Sequence, residues 1–306
     1  MGRGTLDLSR SILQPMARTP RKSSSPTRRQ SSSVEALVER LDRVQDREVG
    51  PGGVASGFPS IDQILGGGFR SEDLIVLSGD VGSGKSSLAL GIASRAAAKG
   101  SRVLFLSGEM GEDRLIERVL AMEGRATLDD FRRGTLNEET RAAVGAAALR
   151  LRDLPLRFDR LPATFAALDT MIGPRQPAID LLVIDTLHQI AASASTSEDM
   201  VAEATRRFKS LALERKVAVL GLAHLPHHRA DREDPRPALD DLGGGGAIKQ
   251  HADVILALYR EEMYRPGHGV EGATEVIVAK NRGGPTRFVD LYFHRRWLRF
   301  EDLLDP

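Results

Sequence analysis

An apolar run, "DLIVLS" (Asp73–Ser78), opens into "GDVGSGKS" (Gly79–Ser86), and helix-forming residues continue over Lys85–Lys99. This stretch limits the possible folds more than any other in the chain. The pattern G-x-x-x-x-G-K-[ST] needs each of its parts. Gly79, Gly82 and Gly84 let the backbone wrap an anion with its N–H groups pointing inward, Lys85 reaches the β- and γ-phosphates, and the Ser86 hydroxyl holds Mg²⁺. A strand over Leu74–Ser78 before the loop and a helix after it would aim the helix N-terminus at the phosphates. The candidate nucleotide contacts are therefore Gly79, Asp80, Val81, Gly82, Ser83, Gly84, Lys85, Ser86 and Ser87.

From Phe58 onward, short apolar runs alternate with helical stretches, which predicts an α/β fold with a mainly parallel central sheet flanked by helices. The expected strands are Leu74–Ser78, Val103–Ser107, Leu156–Phe158, Leu181–Ile184, Ala218–Ala223 and Val254–Tyr259. A C-terminal β-hairpin, Glu275–Lys280 with Arg287–Phe293, is expected around "NRGGP". Helices are expected near Glu112–Met122, Glu138–Arg152, Thr164–Ile172 and Glu198–Arg215. Ahead of this domain (53–306), Val34, Leu37, Leu41 and Val44 fall at helical spacing in Val34–Glu48, and "VGPGG" breaks that helix. Residues 34–52 thus read as a linker helix and a break. A helix of this length is marginal alone in water and needs a surface to pack on.

Residues 1–33 carry Arg3, Arg10, Arg18, Arg21, Lys22, Arg28 and Arg29 against Asp7 alone, in a Ser- and Pro-rich context. Such a segment buries too little apolar surface to fold, so a disordered basic tail is expected. It reads either as a solvated tail or as a grip on a nucleic-acid backbone. The net charge of +1 over 306 residues says nothing more about partners. With no cysteine, disulfides and thiolate metal sites are excluded. No apolar run approaches bilayer length and the N-terminus lacks a signal-peptide core, so no membrane partner and a cytoplasmic location are expected.

Other candidates sit where the apolar runs end. "DLLVID" ends in Asp185, a carboxylate placed to support a phosphate-bound Mg²⁺. Glu109 comes just after Val103–Ser107, where it reads either as the base that activates water or as a helix-capping carboxylate. His224 ends Ala218–Ala223 and could sense the γ-phosphate; His227 and His228 read better as solvated loop than as zinc ligands. Lys280 and Arg282, two apart at a strand end, can point the same way. They are either a surface patch or cations inserted into a neighbouring subunit's site.

With these residues in hand, the chain resembles the C-terminal motor domain of DnaB-type replicative helicases, within the RecA-like P-loop NTPases. The resemblance runs from "SGFPSIDQILGGGF" (Ser56–Phe69) to "WLRFEDL" (Trp297–Leu303). Its most specific segments are "LSGEM" ending at Met110, "GAIKQHADVILALYREEMY" (Gly246–Tyr264) and "AKNRGGP" (Ala279–Pro285). It implies an ATP-dependent DNA helicase or translocase. Such enzymes form a homo-oligomeric, usually hexameric, ring that hydrolyses ATP with Mg²⁺ between subunits on single-stranded DNA in the nucleoid. By resemblance, Lys85 and Ser86 bind phosphate and Mg²⁺, Asp185 supports the metal, Glu109 activates water, Lys280 and Arg282 act in trans, and Arg260 lies near the base. Gly244, Gly245, Gly246 and Lys249 fall where the family contacts DNA.

The chain departs from the family pattern in three places. His224 stands where bacterial members usually carry Gln, although phage and mitochondrial ring helicases have His there. Gly243 and Gly244 replace an Arg-Glu pair. The helical domain that builds a collar and recruits primase in the family is not expected here, where the basic tail stands in its place. An alternative is a DNA-stimulated ring ATPase that loads or remodels other proteins without processive unwinding. A regulatory RecA-like ATPase would share the phosphate loop, but "GAIKQHAD" and "KNRGGP" argue against it.

Overall fold

Runs such as "LIVLS" and "VLFLS" have no polar alternation, so each needs apolar cover on both faces, which helices on both sides of a parallel sheet provide. The computed structural model of the chain has this arrangement. It describes residues 34–39, 42, 52–173, 178–190, 196–226, 232–267 and 269–305. The chain divides into two units, Met1–Gly50 and Pro51–Pro306. In the first, residues 34–39 and 42 are helical, and Val34, Leu37 and Val38 are exposed. The rest of the expected linker helix, the basic tail, and His227 and His228 lie outside the described residues.

The second unit is built on a nine-stranded sheet of order β3-β2-β4-β5-β1-β6-β7-β8-β9. The strands are β1 (Leu74–Gly79), β2 (Val103–Ser107), β3 (Leu156–Arg160), β4 (Leu181–Asp185), β5 (Ala218–His224), β6 (Val254–Tyr259), β7 (Ala273–Asn281), β8 (Phe288–His294) and β9 (Arg299–Asp302). β1 to β6 pair in parallel, and β6 to β9 form an antiparallel meander. The parallel centre is buried throughout, whereas β7 alternates exposed and buried residues as expected of a strand covered on one face. β9 was not expected from the sequence. Four residues are too few to show a period, and β9 is held by its register on β8, with Phe300 opposite Phe293.

Helices α1 (Pro59–Ile64), α2 (Lys85–Ala98), α3 (Glu112–Glu123), α4 (Leu128–Arg133), α5 (Glu138–Arg152), α6 (Phe165–Met171), α7 (Ser197–Arg215) and α8 (Ala247–His251) complete the unit. Thr127, Asn137, Thr164 and Thr196 cap α4, α5, α6 and α7, accepting from the N–H three residues on. Each such cap is worth about 1 kcal/mol. Two apolar clusters sandwich the sheet. One gathers Leu88, Ile92, Leu115 and Phe105 on the α2–α3 side, and the other gathers Phe165, Phe208, Leu211 and Ile248 on the α6–α7 side. A fully buried Leu, Ile or Phe contributes about 1.5–3 kcal/mol, so this double cover holds the strand ends rigidly where the site lies. Among the described residues no helix is long and apolar enough to cross a membrane.

Candidate functional site

The strand register builds the site. Gly79 pairs with His224, and Ser107 with Asp185, so the C-terminal ends of four adjacent strands (β2, β4, β5 and β1) present their last residues along one edge. Ligands of open α/β sheets gather at such an edge. A cavity of about 950 Å³ opens there, lined by Lys85, Ser86, Glu109, Asp185, His224 and Arg260 among others. Residues from five separate parts of the sequence thus meet at one cavity.

The phosphate loop turns on glycines in the left-handed region, Gly82 at φ 79° and Gly84 at φ 102°. Gly84 has a second constraint, since a Cβ there would sit 2.9 Å from the Phe300 ring. Inside the loop the buried Lys85 ammonium donates to the carbonyls of Gly79 (3.0 Å) and Asp80 (2.9 Å). Burial lowers the Lys85 pKa, while Asp185, Asp80 and Glu109 favour its charge. The Ser83 hydroxyl is buried in the loop without a hydrogen-bond partner.

Asp185 is fully buried, and neither carboxylate oxygen has a hydrogen-bond donor in bonding geometry. Burial pushes its pKa up to about 6, with the nearby Ser86 hydroxyl, Lys85 and Arg118 pulling the other way. Burial of a carboxylate without well-aligned donors is unfavourable, and the neighbouring Ser86, Lys85 and Arg118 offset only part of that penalty. The orphaned oxygens of Asp185, the Ser86 hydroxyl and the glycine cradle together suit a phosphate-bound divalent cation.

Glu109 is partly exposed, and its N–H donates to the Ser107 hydroxyl at 3.3 Å. Its Oε1 lies 3.9 Å from His224 Nε2. Burial, then Lys85, lowers the His224 pKa, which favours a neutral ring at neutral pH, and its Nδ1 is buried and unpaired. His188 packs against His224 with ring centroids 5.0 Å apart, and burial lowers its pKa to about 4.

Three contributors were not read from the sequence. His188 is the first. Arg118 on α3 lines the cavity; burial lowers its pKa while Asp185 favours its charge. The available signal was a cation three residues after Leu115 on the apolar stripe Leu115–Val119–Met122, a position where a charge needs a reason. The end of β8 and the turn after it bring Tyr292, His294 and Trp297 to the cavity, with His294 stacked on Trp297 at 4.9 Å. No local pattern marked that turn. Arg260, which was expected near a base, is 6% exposed, bonds Gly82 O (3.3 Å) and Glu262, and lies 4.4 Å over the Phe293 ring.

The remaining candidates are not on this cavity. Gly244, Gly245 and Gly246 all have positive φ and lead into α8; Gly245 N–H donates to Glu198 (2.5 Å) and Lys249 pairs with Asp240 (2.6 Å). Lys280 donates to the main-chain carbonyl of Lys249 at 2.6 Å, and Arg282 pairs with Asp253 at 2.8 Å. Asp253 N–H donates to Leu74 O, so Arg282 sits at the end of the sheet away from the phosphate loop.

Comparison with known proteins agrees with this geometry. Residues 53–302 match the family described as DnaB-like helicase C terminal domain. The replicative DNA helicase DnaB of Leifsonia xyli is 31% identical over 282 residues, covering 89% of this chain and 61% of that protein. The replicative DNA helicase DnaC of Bacillus subtilis is 30% identical over 284 residues, covering 88% and 61%. The chain therefore spans about three fifths of the length of these relatives. Among solved structures, one of an ATPase domain superposes with a TM-score of 0.79 at 25% identity, covering 88% of this chain and 98% of that one. A DnaB-like replicative helicase studied for its interactions with primase superposes with a TM-score of 0.78 at 25% identity, covering 88% and 66%.

Proposed function

Because the chain belongs to the family of DnaB-like helicase C-terminal domains, we propose that it is the motor of an ATP-dependent DNA helicase or translocase that works as a homo-oligomeric ring, hexameric by the family's habit, on single-stranded DNA. The observation that carries the reading is the fully buried Asp185 with both oxygens unpartnered, in one cavity with the phosphate loop, Glu109 and His224.

In this reading the loop amides and Lys85 hold the phosphates of ATP, with the Lys85 ammonium exchanging the Gly79 and Asp80 carbonyls for phosphate oxygens. Ser86 and Asp185 would hold Mg²⁺, which would supply neutralisation of the phosphate charge. Glu109 orients the attacking water and accepts its proton. Neutral His224, held beside Glu109 and backed by His188, reads the γ-phosphate. Arg260 and the β8–β9 turn flank the base. Lys280 and Arg282 supply charge to a neighbouring subunit's site, and Gly244, Gly245, Gly246 and Lys249 face the DNA backbone. The protein then works in the cytoplasm at the nucleoid.

Strand displacement on a forked duplex, run beside ATPase with and without single-stranded DNA, tests this. Unwinding supports a helicase. DNA-stimulated ATPase without unwinding indicates a loader or remodeller, and ATPase indifferent to DNA indicates a regulatory enzyme.

A further inference from the structure

Lys280 and Arg282 are both tied to the short segment after the glycine loop. Lys280 Nζ donates to the main-chain carbonyl of Lys249, the third residue of α8. Arg282 is held twice by the residue that precedes β6: its N–H donates to Asp253 O at 2.9 Å and its guanidinium to Asp253 Oδ1 at 2.8 Å. Asp253 is itself fixed. Its side chain is 4% exposed, and Oδ2 accepts from Leu74 N–H (2.9 Å) and from the Lys209 ammonium (2.6 Å). Arg282, by contrast, leaves 59% of its side chain in solvent. A free guanidinium on a turn would sample many rotamers, whereas one bonded to a buried, anchored carboxylate presents its remaining donors in one direction.

The same segment begins at the other end of the sheet. Gly243 passes so close to Pro226 that a Cβ would lie 2.9 Å from Pro226 Cγ, and Pro226 is two residues beyond His224. Between Gly243 and Asp253 the chain is a glycine turn and one short helix whose Ile248 is fully buried against the α7 side of the core. A shift of the glycine loop would thereby be passed to the carbonyl that holds Lys280 and to the carboxylate that holds Arg282.

We propose that Asp253, with the main-chain carbonyl of Lys249, is a positioning element that sets Arg282 and Lys280 for delivery to a neighbouring site, so that the glycine loop and these two cations move as one unit. This rests on the reading of Arg282 as a cation supplied in trans.

Subunit mixing in the full chain tests it. Arg282→Ala and Lys85→Ala subunits, each inactive alone, should regain ATPase when mixed, since one offers an intact cavity and the other an intact Arg282. Failure of this control sinks the trans reading itself. If the control succeeds, Asp253→Asn should lower kcat about 100-fold, the scale of a 1 Å misplacement, with the Kd of a fluorescent ATP analogue within about twofold of the unmutated chain. Mixing Asp253→Asn with Lys85→Ala should restore activity as it does for Arg282→Ala, and mixing it with Arg282→Ala should not. Near-normal kcat, or a loss that Lys85→Ala subunits do not restore, overturns the proposal while leaving the trans reading in place. Lys209→Met keeps the Arg282 contact and should cost no more than about threefold; a loss as deep as that of Asp253→Asn would assign Asp253 to fold stability instead. If thermal melting shows Asp253→Asn unfolded, Asp253→Glu carries the test, with an expected loss of about tenfold and the same pattern of rescue. Unaltered turnover in Asp253→Glu would then overturn it.

Discussion

The two ends of the central sheet are built in opposite ways. At the phosphate-loop end, polar groups are buried and left without partners: both oxygens of Asp185, the Ser83 hydroxyl and His224 Nδ1. At the other end and along the glycine loop, the named cations are paired within the chain: Lys249 with Asp240, Lys280 with a carbonyl, Arg282 with Asp253. The first arrangement costs stability until a ligand arrives, because a buried unsatisfied group loses its hydration for nothing in return. In the second, the solvent-exposed Lys249–Asp240 pair is worth only about 0–1 kcal/mol, whereas Arg282 is held by a carboxylate that is itself buried. One end leaves buried polar groups open to a cavity; the other satisfies its cations within the chain.

The largest expected effect falls at the first end. Lys85→Ala removes the cation in the cradle and should abolish hydrolysis, a loss of at least about 10³-fold, with nucleotide binding weakened in parallel. Steady-state ATPase and titration with a fluorescent nucleotide measure both. Retained activity would show that the cradle does not need its lysine and would erase the contrast.

Glu109→Gln keeps the shape and removes the base. Turnover should fall about 10²–10³-fold while nucleotide binding persists, as expected for a lost general base. Single-turnover hydrolysis separates this from slow product release, and a kcat close to that of the unmutated chain would remove Glu109 from the chemistry.

Asp185→Asn tests the stability cost directly, in protein free of nucleotide and divalent metal. The folded-state pKa of Asp185 is raised to about 6 from 3.8, so the folded chain binds its proton more tightly than the unfolded chain does. Stability from this group is therefore present at low pH and is lost as pH rises through about 4 to 6. Above that window the amide should be the more stable side chain by on the order of 2 kcal/mol, seen as a rise in Tm of about 5 °C at pH 7.5. The difference should shrink as pH falls towards 4. A Tm lowered at pH 7.5 would mean that Asp185 is satisfied in the apo protein.

The smallest effect belongs to the second end. Lys249→Ala breaks a half-exposed pair with Asp240 but leaves the carbonyl that holds Lys280. It should reduce DNA stimulation of ATPase severalfold, more than it reduces the rate without DNA, and flatten the salt dependence of DNA binding by about one counterion. An unchanged salt slope would leave Lys249 as a surface residue.

Local chemistry made much of this protein legible in its sequence. "GDVGSGKS" after an apolar run specifies its own backbone, because glycines at defined offsets and an adjoining helix leave few conformations. The β1, β2, β4, β5 and β6 runs are almost wholly apolar, so the doubly covered parallel sheet could be inferred from them, and Asp185 and His224 could be placed as the last residues of two strands. What the sequence could not decide lies in contacts between distant segments. Arg118 reaches the cavity because α3 packs its apolar stripe on the sheet and carries a cation in with it. His188 meets His224 because the register of β4 on β5 brings the ends of the two strands side by side. β9 and the His294–Trp297 turn close the cavity because Phe300 packs on Phe293 beneath the phosphate loop. Arg282 finds Asp253 because β7 runs antiparallel to β6 and returns it, 29 residues later, to the start of that strand. Spacing fixes period and turn, but the choice of neighbours belongs to sheet order and register, which only the packed core selects.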